Sequence, residues 1–389
     1  MAIDLFDVDA YRAANTDLGA AGLTTDEQLT QHFQNFGVNE GRFFSFFANL
    51  SVYRSSNPDL VAAGLTSNQQ LLGHLQNFGV AEGRRFSQYV DIDFYRNLNG
   101  DVNQAYGGNR ELILEHLSIF GIEEGRWFSP FMGTNDNIAD NVSTVAGLDY
   151  YLFANSDVYN AVNGSRLGAL VHLELYGINE SRSFSPFVDV GYYLANNADV
   201  SQAFNGNQAA AFAHLVSFGV DEGRSFSPAF NASAYPIANP DLASAGINTN
   251  RQRFEHWVTY GLSDRRSATA DPGNTLGTAL SLGSPSSGFT YFHNFISGSD
   301  TNDYYRFTLT TTRFVSVDLF GLSNDLDIAL RSSNGSLIQE STFSGNAADS
   351  ITFNNLSAGT YYVQVFPGVN GASSGYDLFL TFLDFLGSI

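Results

Sequence analysis

The chain has 389 residues, 43% of them hydrophobic, and carries 39 acidic against 18 basic residues for a formal net charge of −21. That apolar content can build a packed core, which excludes a disordered chain, and the acidic balance excludes a nucleic-acid or anionic-membrane binder, since both need basic patches. All eighteen basic residues are arginine and cysteine is absent, which excludes lysine-amine and thiol chemistry, disulfides and thiolate metal sites.

The start, Met-Ala-Ile-Asp-Leu-Phe-Asp, lacks the basic and apolar regions of a Sec signal peptide. No run approaches the roughly 18 apolar residues of a membrane span. From there to Thr269 the sequence repeats. A histidine recurs at His32, His74, His116, His172, His214 and His256, in steps of 42, 42, 56, 42 and 42 residues. A tyrosine keeps the same ladder (Tyr11, Tyr53, Tyr95, Tyr151, Tyr193, Tyr235), as does an asparagine (Asn15, Asn57, Asn99, Asn155, Asn197, Asn239). So do an aspartate (Asp17, Asp59, Asp101, Asp157, Asp199, Asp241) and a glycine (Gly37, Gly79, Gly121, Gly177, Gly219, Gly261). An arginine completes the set (Arg42, Arg84, Arg126, Arg182, Arg224, Arg266). A fixed period of this length predicts an array of like units, each burying its apolar face on its neighbours. The units span about 6–45, 48–87, 90–129, 146–185, 188–227 and 230–269, within a region 1–269.

Each unit reads as a two-helix hairpin plus an aromatic-rich connector. In unit one, Thr24 or Thr25 is placed to cap the second helix, with acids in its first turn. Leu29, Phe33 and Phe36 give that helix one apolar face, and Gly37 is expected as its C-cap. Pro58 and Pro240 predict a break before the aspartate. The 56-residue step inserts fourteen residues at about 132–147, which in an array emerge as a loop, either decorative or a recognition loop.

The repeated polar residues read as structure. Zinc or copper needs three or four converging ligands, and one histidine per unit does not converge. The ring is expected to be packed, with one nitrogen bonded to the repeated asparagine or a backbone carbonyl. The repeated aspartate and arginine predict an ion pair, Asp17 with Arg42 first. The Phe-Ser-Pro-Phe connectors at 128–131 and 184–187, with Phe226-Ser-Pro-Ala-Phe, are expected to fill the seam between units, sugar stacking being the alternative. No nucleophile elbow, zinc-protease motif, P-loop or dinucleotide fingerprint occurs, so no catalytic residue is assigned.

From Asp271 onward the grammar changes to Gly, Ser, Thr and Asn turns between alternating segments such as Tyr304–Leu309, Phe314–Leu319 and Tyr361–Val365, the pattern of a β-sandwich. The motifs Asp271-Pro-Gly-Asn-Thr275, Asp300-Thr-Asn-Asp-Tyr-Tyr-Arg-Phe307 and Leu326-Asp-Ile-Ala-Leu330 come in order, followed by Ala358-Gly-Thr-Tyr-Tyr-Val-Gln-Val365 and Ser374-Gly-Tyr-Asp-Leu378. Over roughly 271–383 this resembles the bacterial pre-peptidase C-terminal domain. The resemblance implies a jelly-roll-like sandwich appended to exported proteins, some members binding calcium and a fibrous substrate. Asp300 and Asp303, with Asp271 and Asn274 brought close, would offer the oxygen ligands calcium prefers; the alternative is that they only shape turns. The repeats resemble the roughly 40-residue units of large exported bacterial proteins, cyanobacterial ones among them, and that resemblance implies a setting without a mechanism. The apolar stretch Leu378–Ile389 reads as a final strand with a tail, as a C-terminal type I secretion signal, or as a docking segment.

The expected fold is a multidomain α + β chain: six helical repeats, then a sandwich at 271–389. The expected function is that of a secreted, non-enzymatic structural or adhesive protein of a bacterial surface or matrix. Its expected partner is itself, in filaments or layers built by head-to-tail stacking of uncapped array ends. A polysaccharide- or protein-binding module, or an accessory of a secreted hydrolase, is the alternative. Calcium is the expected cofactor.

Overall fold

The computed structural model describes residues 3–132 and 147–384, so the expected insertion loop, at 133–146, and the last residues of the apolar C-terminal stretch, beyond 384, lie outside the described residues. Unit two shows the local rules of the array. Asn49 caps helix Leu50–Ser56, its side chain accepting from the N–H of Ser51 and Val52. The helix stops at Asn57 (φ −131°, ψ 66°), and a second short helix, Pro58–Ala62, begins with proline at its first position. Asn57 Nδ2 donates to the Tyr53 carbonyl at 2.7 Å and across to the Arg85 carbonyl at 2.9 Å, so the broken helix end is tied to the closing connector. The ladder asparagine makes this pair of bonds in every unit. A capping box between Ser67 and Gln70 opens the third helix, Asn68–His74, and Thr25 with Gln28 does so in unit one. The expected helix pair is present, its first member broken at the asparagine.

After the histidine the backbone widens into a π turn, Leu75–Gly79 in unit two and its counterpart in each other unit. The ladder glycine ends this turn and is not the expected left-handed C-cap: Gly37 has φ −58°. A Cβ at any of the six ladder glycines would overlap the hydroxyl of that unit's own ladder tyrosine. Glycine is required here for close approach and not for its backbone freedom. The left-handed cap lies four residues on, at Gly41, Gly83, Gly125 and Gly223 (φ 70–71°), with Ser181 and Arg265 in the same slot. The π turn also corrects the expected apolar face. Leu29 and Phe33 are buried but Phe36 is 58% exposed, because the wide turn rotates the residues after the histidine off a 3.6-residue stripe.

Consecutive units dock through a recurring device: a polar side chain at the start of the third helix reaches the preceding unit, an arginine or asparagine onto a carbonyl at four steps and Gln208 onto the Ser181 hydroxyl at the remaining one. Arg110 Nη1 donates to Ala81 O at 2.9 Å, and Arg166 Nη1 to Glu123 O at 2.8 Å. The second of these spans the 56-residue step, so the insertion leaves the packing of units three and four like that of the others. The array also winds on itself. The hydroxyls of Ser55 and Ser56 in unit two lie 3.2 Å from that of Ser217 in unit five. Tyr89 packs on Phe212 with ring centroids 5.6 Å apart, and Phe131 on Phe254 at 5.5 Å. The connector phenylalanines Phe128, Phe131, Phe184, Phe187, Phe226 and Phe230 are buried, so they fill the seam as expected and are closed to sugars. Among the described residues no helix is long and apolar enough to cross a membrane.

The sandwich comprises β1 (Leu280–Ser281), β2 (Gly288–Ile296), β3 (Asp303–Leu309), β4 (Arg313–Phe320), β5 (Leu326–Ser332), β6 (Leu337–Ser341), β7 (Asp349–Leu356), β8 (Gly359–Pro367) and β9 (Ser374–Asp384). They form a five-stranded sheet, β1-β3-β8-β5-β6, and a four-stranded sheet, β2-β9-β4-β7. The pairs are antiparallel except β1 with β3. Alternate residues such as Tyr305, Phe307 and Leu309 on β3 and Val315, Val317 and Leu319 on β4 are buried between the sheets. The apolar stretch from Leu378 to Asp384 is the C-terminal part of β9, paired on both sides through Phe382 and with β4 alone beyond it.

The sandwich sits against the last units of the array. Tyr150 of unit four packs edge-on against Phe289 at 5.0 Å. Arg265 explains its departure from the cap glycine here: its Nε lies 3.1 Å from a carboxylate oxygen of the fully buried Asp377 on β9. Asp377 also accepts from the Tyr291 hydroxyl at 2.6 Å and from His293 Nδ1 at 2.8 Å. Asp377→Ala would strand these donors, and we expect a loss of about 2 kcal/mol in chemical denaturation. An unchanged midpoint would show that the clasp carries no stability.

Candidate metal centre

The ladder residues are committed within their own units. Each tyrosine hydroxyl meets its histidine Nδ1 at 2.7–2.9 Å. The expected partner was the asparagine or a backbone carbonyl, but the asparagine amide is already taken by two carbonyls. Burial holds the tyrosine hydroxyls above their ordinary range, Tyr11 at about 12, and lowers His172, His214 and His256. In these three units burial thus favours the neutral ring, whose Nδ1 is placed to accept the tyrosine O–H. The exposed aromatic four residues on (Phe36, Phe78, Phe120, Tyr176, Phe218, Tyr260) covers the imidazole at 5.5–5.7 Å.

The expected aspartate–arginine pairs form in all units, Asp17–Arg42, Asp59–Arg84, Asp101–Arg126, Asp157–Arg182, Asp199–Arg224 and Asp241–Arg266, at 2.8–2.9 Å. They lie at the surface: the Asp157 side chain is 64% exposed and Arg182 23%. A double-mutant cycle on Asp157→Ala and Arg182→Ala should therefore give a coupling of only about 0.5 kcal/mol, shrinking in salt. A coupling several times larger would mean that each pair is a main support of its own unit.

Among the described residues, one group brings three acidic or histidine ligand atoms within 4.8 Å of one another: Asp271, Asp300 and Asp303. Asp271 lies on the linker after unit six, Asp300 in the β2–β3 turn and Asp303 at the start of β3. Asn274 draws them together. Its Oδ1 accepts from the N–H of Thr301 at 2.7 Å and of Asn302 at 2.8 Å, and its Nδ2 donates to Asp300 Oδ1 at 3.1 Å. In this arrangement Asn274, the fourth ligand expected from the sequence, is bonded to the turn through Oδ1 and positions Asp300 through Nδ2. Gly273 makes this close approach possible, at φ +78° and tight against Thr278.

Asp303 is fully buried. The Tyr376 hydroxyl donates to its Oδ2, and Tyr305 lies beyond at 2.7 Å from that hydroxyl. Its Oδ1 is buried with no partner. Burial, then the charges of Asp300 and Asp271, push the Asp303 carboxyl up to about 8, and burial with Asp271 raises Asp300. Three crowded carboxylates, one with an orphaned buried oxygen, fit a hard divalent cation such as calcium. Asp271, Asp300 and Asp303 would hold it, and the ion would supply the positive charge that fixes the interdomain linker to the sandwich. Tyr376, which orients Asp303, lies in the motif Ser374-Gly-Tyr-Asp-Leu378, but the sequence does not show its bond to Asp303. Asp325, Asp327 and Asp349 are also buried, and burial with the other acids raises Asp327 to about 6, but they do not bring three oxygens within that distance.

Residues 301–367 match the family model of the bacterial pre-peptidase C-terminal domain. The match includes Asp303, four strands of the five-stranded sheet and two of the four-stranded one, and it lies wholly within the sandwich. Similar solved structures include the pre-peptidase C-terminal domain of a Bacillus anthracis collagenase (18% identity, 26% of this chain and 92% of that one, TM-score 0.22). PliG, a periplasmic inhibitor of g-type lysozyme from Aeromonas hydrophila, is similar at 13% identity over 26% of this chain and 95% of that one, TM-score 0.22. A carbohydrate-binding module CBM36 in complex with calcium and xylotriose is similar at 16% identity over 23% of this chain and 77% of that one, TM-score 0.18. No curated protein matches the chain.

Proposed function

We propose that this chain is a secreted, non-enzymatic adhesive protein of a bacterial surface or matrix, in which a rigid helical array carries a calcium-dependent pre-peptidase C-terminal domain. The observation that carries this reading is the contrast between the two halves. In the array the repeated Tyr, His, Asn, Asp and Arg are committed to bonds inside each unit, which suits a scaffold. In the sandwich, Asp303 keeps a buried, unpartnered oxygen beside two further carboxylates, which suits a ligand. The acidic surface and the pre-peptidase C-terminal domain suit an exported protein.

Self-assembly by head-to-tail stacking receives less support. The sandwich lies against the last array units through Arg265 and Tyr150, so stacking at that end would have to displace it. The test is depletion of the full chain from solution by insoluble cellulose, chitin and fibrous collagen, with calcium and with chelator. Calcium-dependent depletion by one polymer supports adhesion. No depletion by any of them, together with ordered fibres in electron micrographs, would replace it with an assembling structural protein.

A further inference from the structure

The winding of the array creates a groove of about 570 Å³ where the connector between units two and three meets unit six. Its volume falls within the range of small-molecule sites, roughly 300–1,000 Å³. It is also where the repeat grammar breaks. Position 85 is arginine, while its counterparts are Phe43, Trp127, Ser183, Ser225 and Ser267. Glu255 is shared only with unit three (Glu115); the other units have Gln31, Gly73, Val171 and Ala213 there. Two residues earlier on the same helix, Arg253 replaces Leu29, Leu71, Ile113, Ala169 and Ala211. Arg85 in the groove wall and Arg253 beside it are thus charged where no other unit is, and such departures are expected at functional or strained sites.

The groove's charges are unevenly committed. Arg84 is paired with Asp59 and Glu82, Asp93 with Arg96 and Arg110, and Arg85 with Asp91. The Glu255 carboxylate has no hydrogen-bond partner among the described residues. Burial, then Asp91, pushes it up to about 7. Around it stand the planar amides of Asn97 and Gln252, the Thr259 hydroxyl and, at the rim, the Tyr260 ring, 57% exposed and backed by His256 at 5.7 Å.

We infer that this groove binds a segment of a neutral oligosaccharide, with Tyr260 as the stacking platform and Glu255, Gln252 and Asn97 as hydrogen-bonding partners for its hydroxyls. An exposed flat ring beside planar polar side chains matches a sugar, which has one apolar face and a rim of hydroxyls. Among the described groove residues the uncommitted charge is a carboxylate, in a chain of net charge −21, which disfavours uronates and sulfated sugars. The polar lining disfavours an apolar ligand.

This inference deepens the adhesive reading and rests on it, but at a place distant in sequence from the aspartate triad. The test is isothermal titration of the full chain with cello-, xylo-, manno- and chitohexaose, and with an alginate hexasaccharide as acidic control, all in chelator. We expect one neutral hexasaccharide to bind and the alginate not to. Tyr260→Ala should weaken binding by about tenfold or more, and Glu255→Gln should weaken it measurably. Tyr260 is exposed, so its variant should melt like the wild type; a loss of binding with unchanged melting therefore reports the groove. No binding by any neutral hexasaccharide, or binding undiminished in both variants, would overturn the groove. Polymer depletion that survives Tyr260→Ala but fails in Asp303→Asn would leave the calcium-dependent reading standing and remove this one.

Discussion

Gly121→Ala in the middle of the array is expected to cost about 3 kcal/mol or more in chemical denaturation, several times what a glycine in an ordinary helix is worth. Its backbone is unstrained, and helix propensity alone would make alanine an improvement. The penalty comes from the Cβ, which would overlap the Tyr95 hydroxyl and approach Tyr95 Cζ at 3.1 Å. The ring is fully buried and cannot swing away, and moving it breaks the hydrogen bond to His116 at 2.9 Å. Tyr95→Phe removes the overlapping oxygen, so the double variant should recover part of the loss and be less destabilised than the sum of the singles. Gly41→Ala, at a left-handed cap with φ 70° where a Cβ meets nothing closer than Asn68 Nδ2 at 3.5 Å, should cost only about 1 kcal/mol. If the two glycine variants lose the same amount, the close approach of glycine and tyrosine is not what fixes the period.

Asp303→Asn is expected to weaken calcium binding by at least about 100-fold and to abolish its pH dependence. Asp303 is an acid whose folded pKa, about 8, lies above its ordinary 3.8. The folded chain therefore holds the extra proton, and the stability this gives is complete below about pH 4 and lost as pH rises through 8. Calcium needs the ionised form, so binding releases that proton. Wild-type affinity should climb by about tenfold per pH unit between 6 and 8 and level off above. Without calcium, Asp303→Asn should be at least as stable as the wild type at pH 9, because the amide never pays the cost of a buried charge. Titration calorimetry across this pH range checks both; a wild-type affinity flat between pH 6 and 8 would mean that Asp303 is not a ligand.

Much of the fold was legible because its signals are local or periodic. The 42-residue ladder marked the units, the Thr25 capping position and Pro58 marked helix starts, and alternation over Tyr304–Leu309 marked a strand. The features that escaped depend on geometry that a 3.6-residue stripe does not carry. The π turn moved Phe36 to the surface and turned the ladder glycine from a cap into a contact. The partner of each histidine is a tyrosine twenty-one residues away, chosen because the asparagine was already bonded to backbone. At the candidate site, the aspartates Asp271, Asp300 and Asp303 were readable from their motifs. The role of Asn274 was not, because only the folded turn shows that its oxygen is taken. Arg265 drew no expectation from the sequence, because the group that explains it, Asp377, lies more than a hundred residues on.

The most direct measurement is a crystal structure of the full chain grown with calcium. We expect an ion bound by carboxylate oxygens of Asp271, Asp300 and Asp303 at about 2.3–2.6 Å, with Asp303 Oδ1 as one ligand. A triad with no ion, and Asp303 Oδ1 hydrogen-bonded to water or to another side chain at saturating calcium, would contradict it.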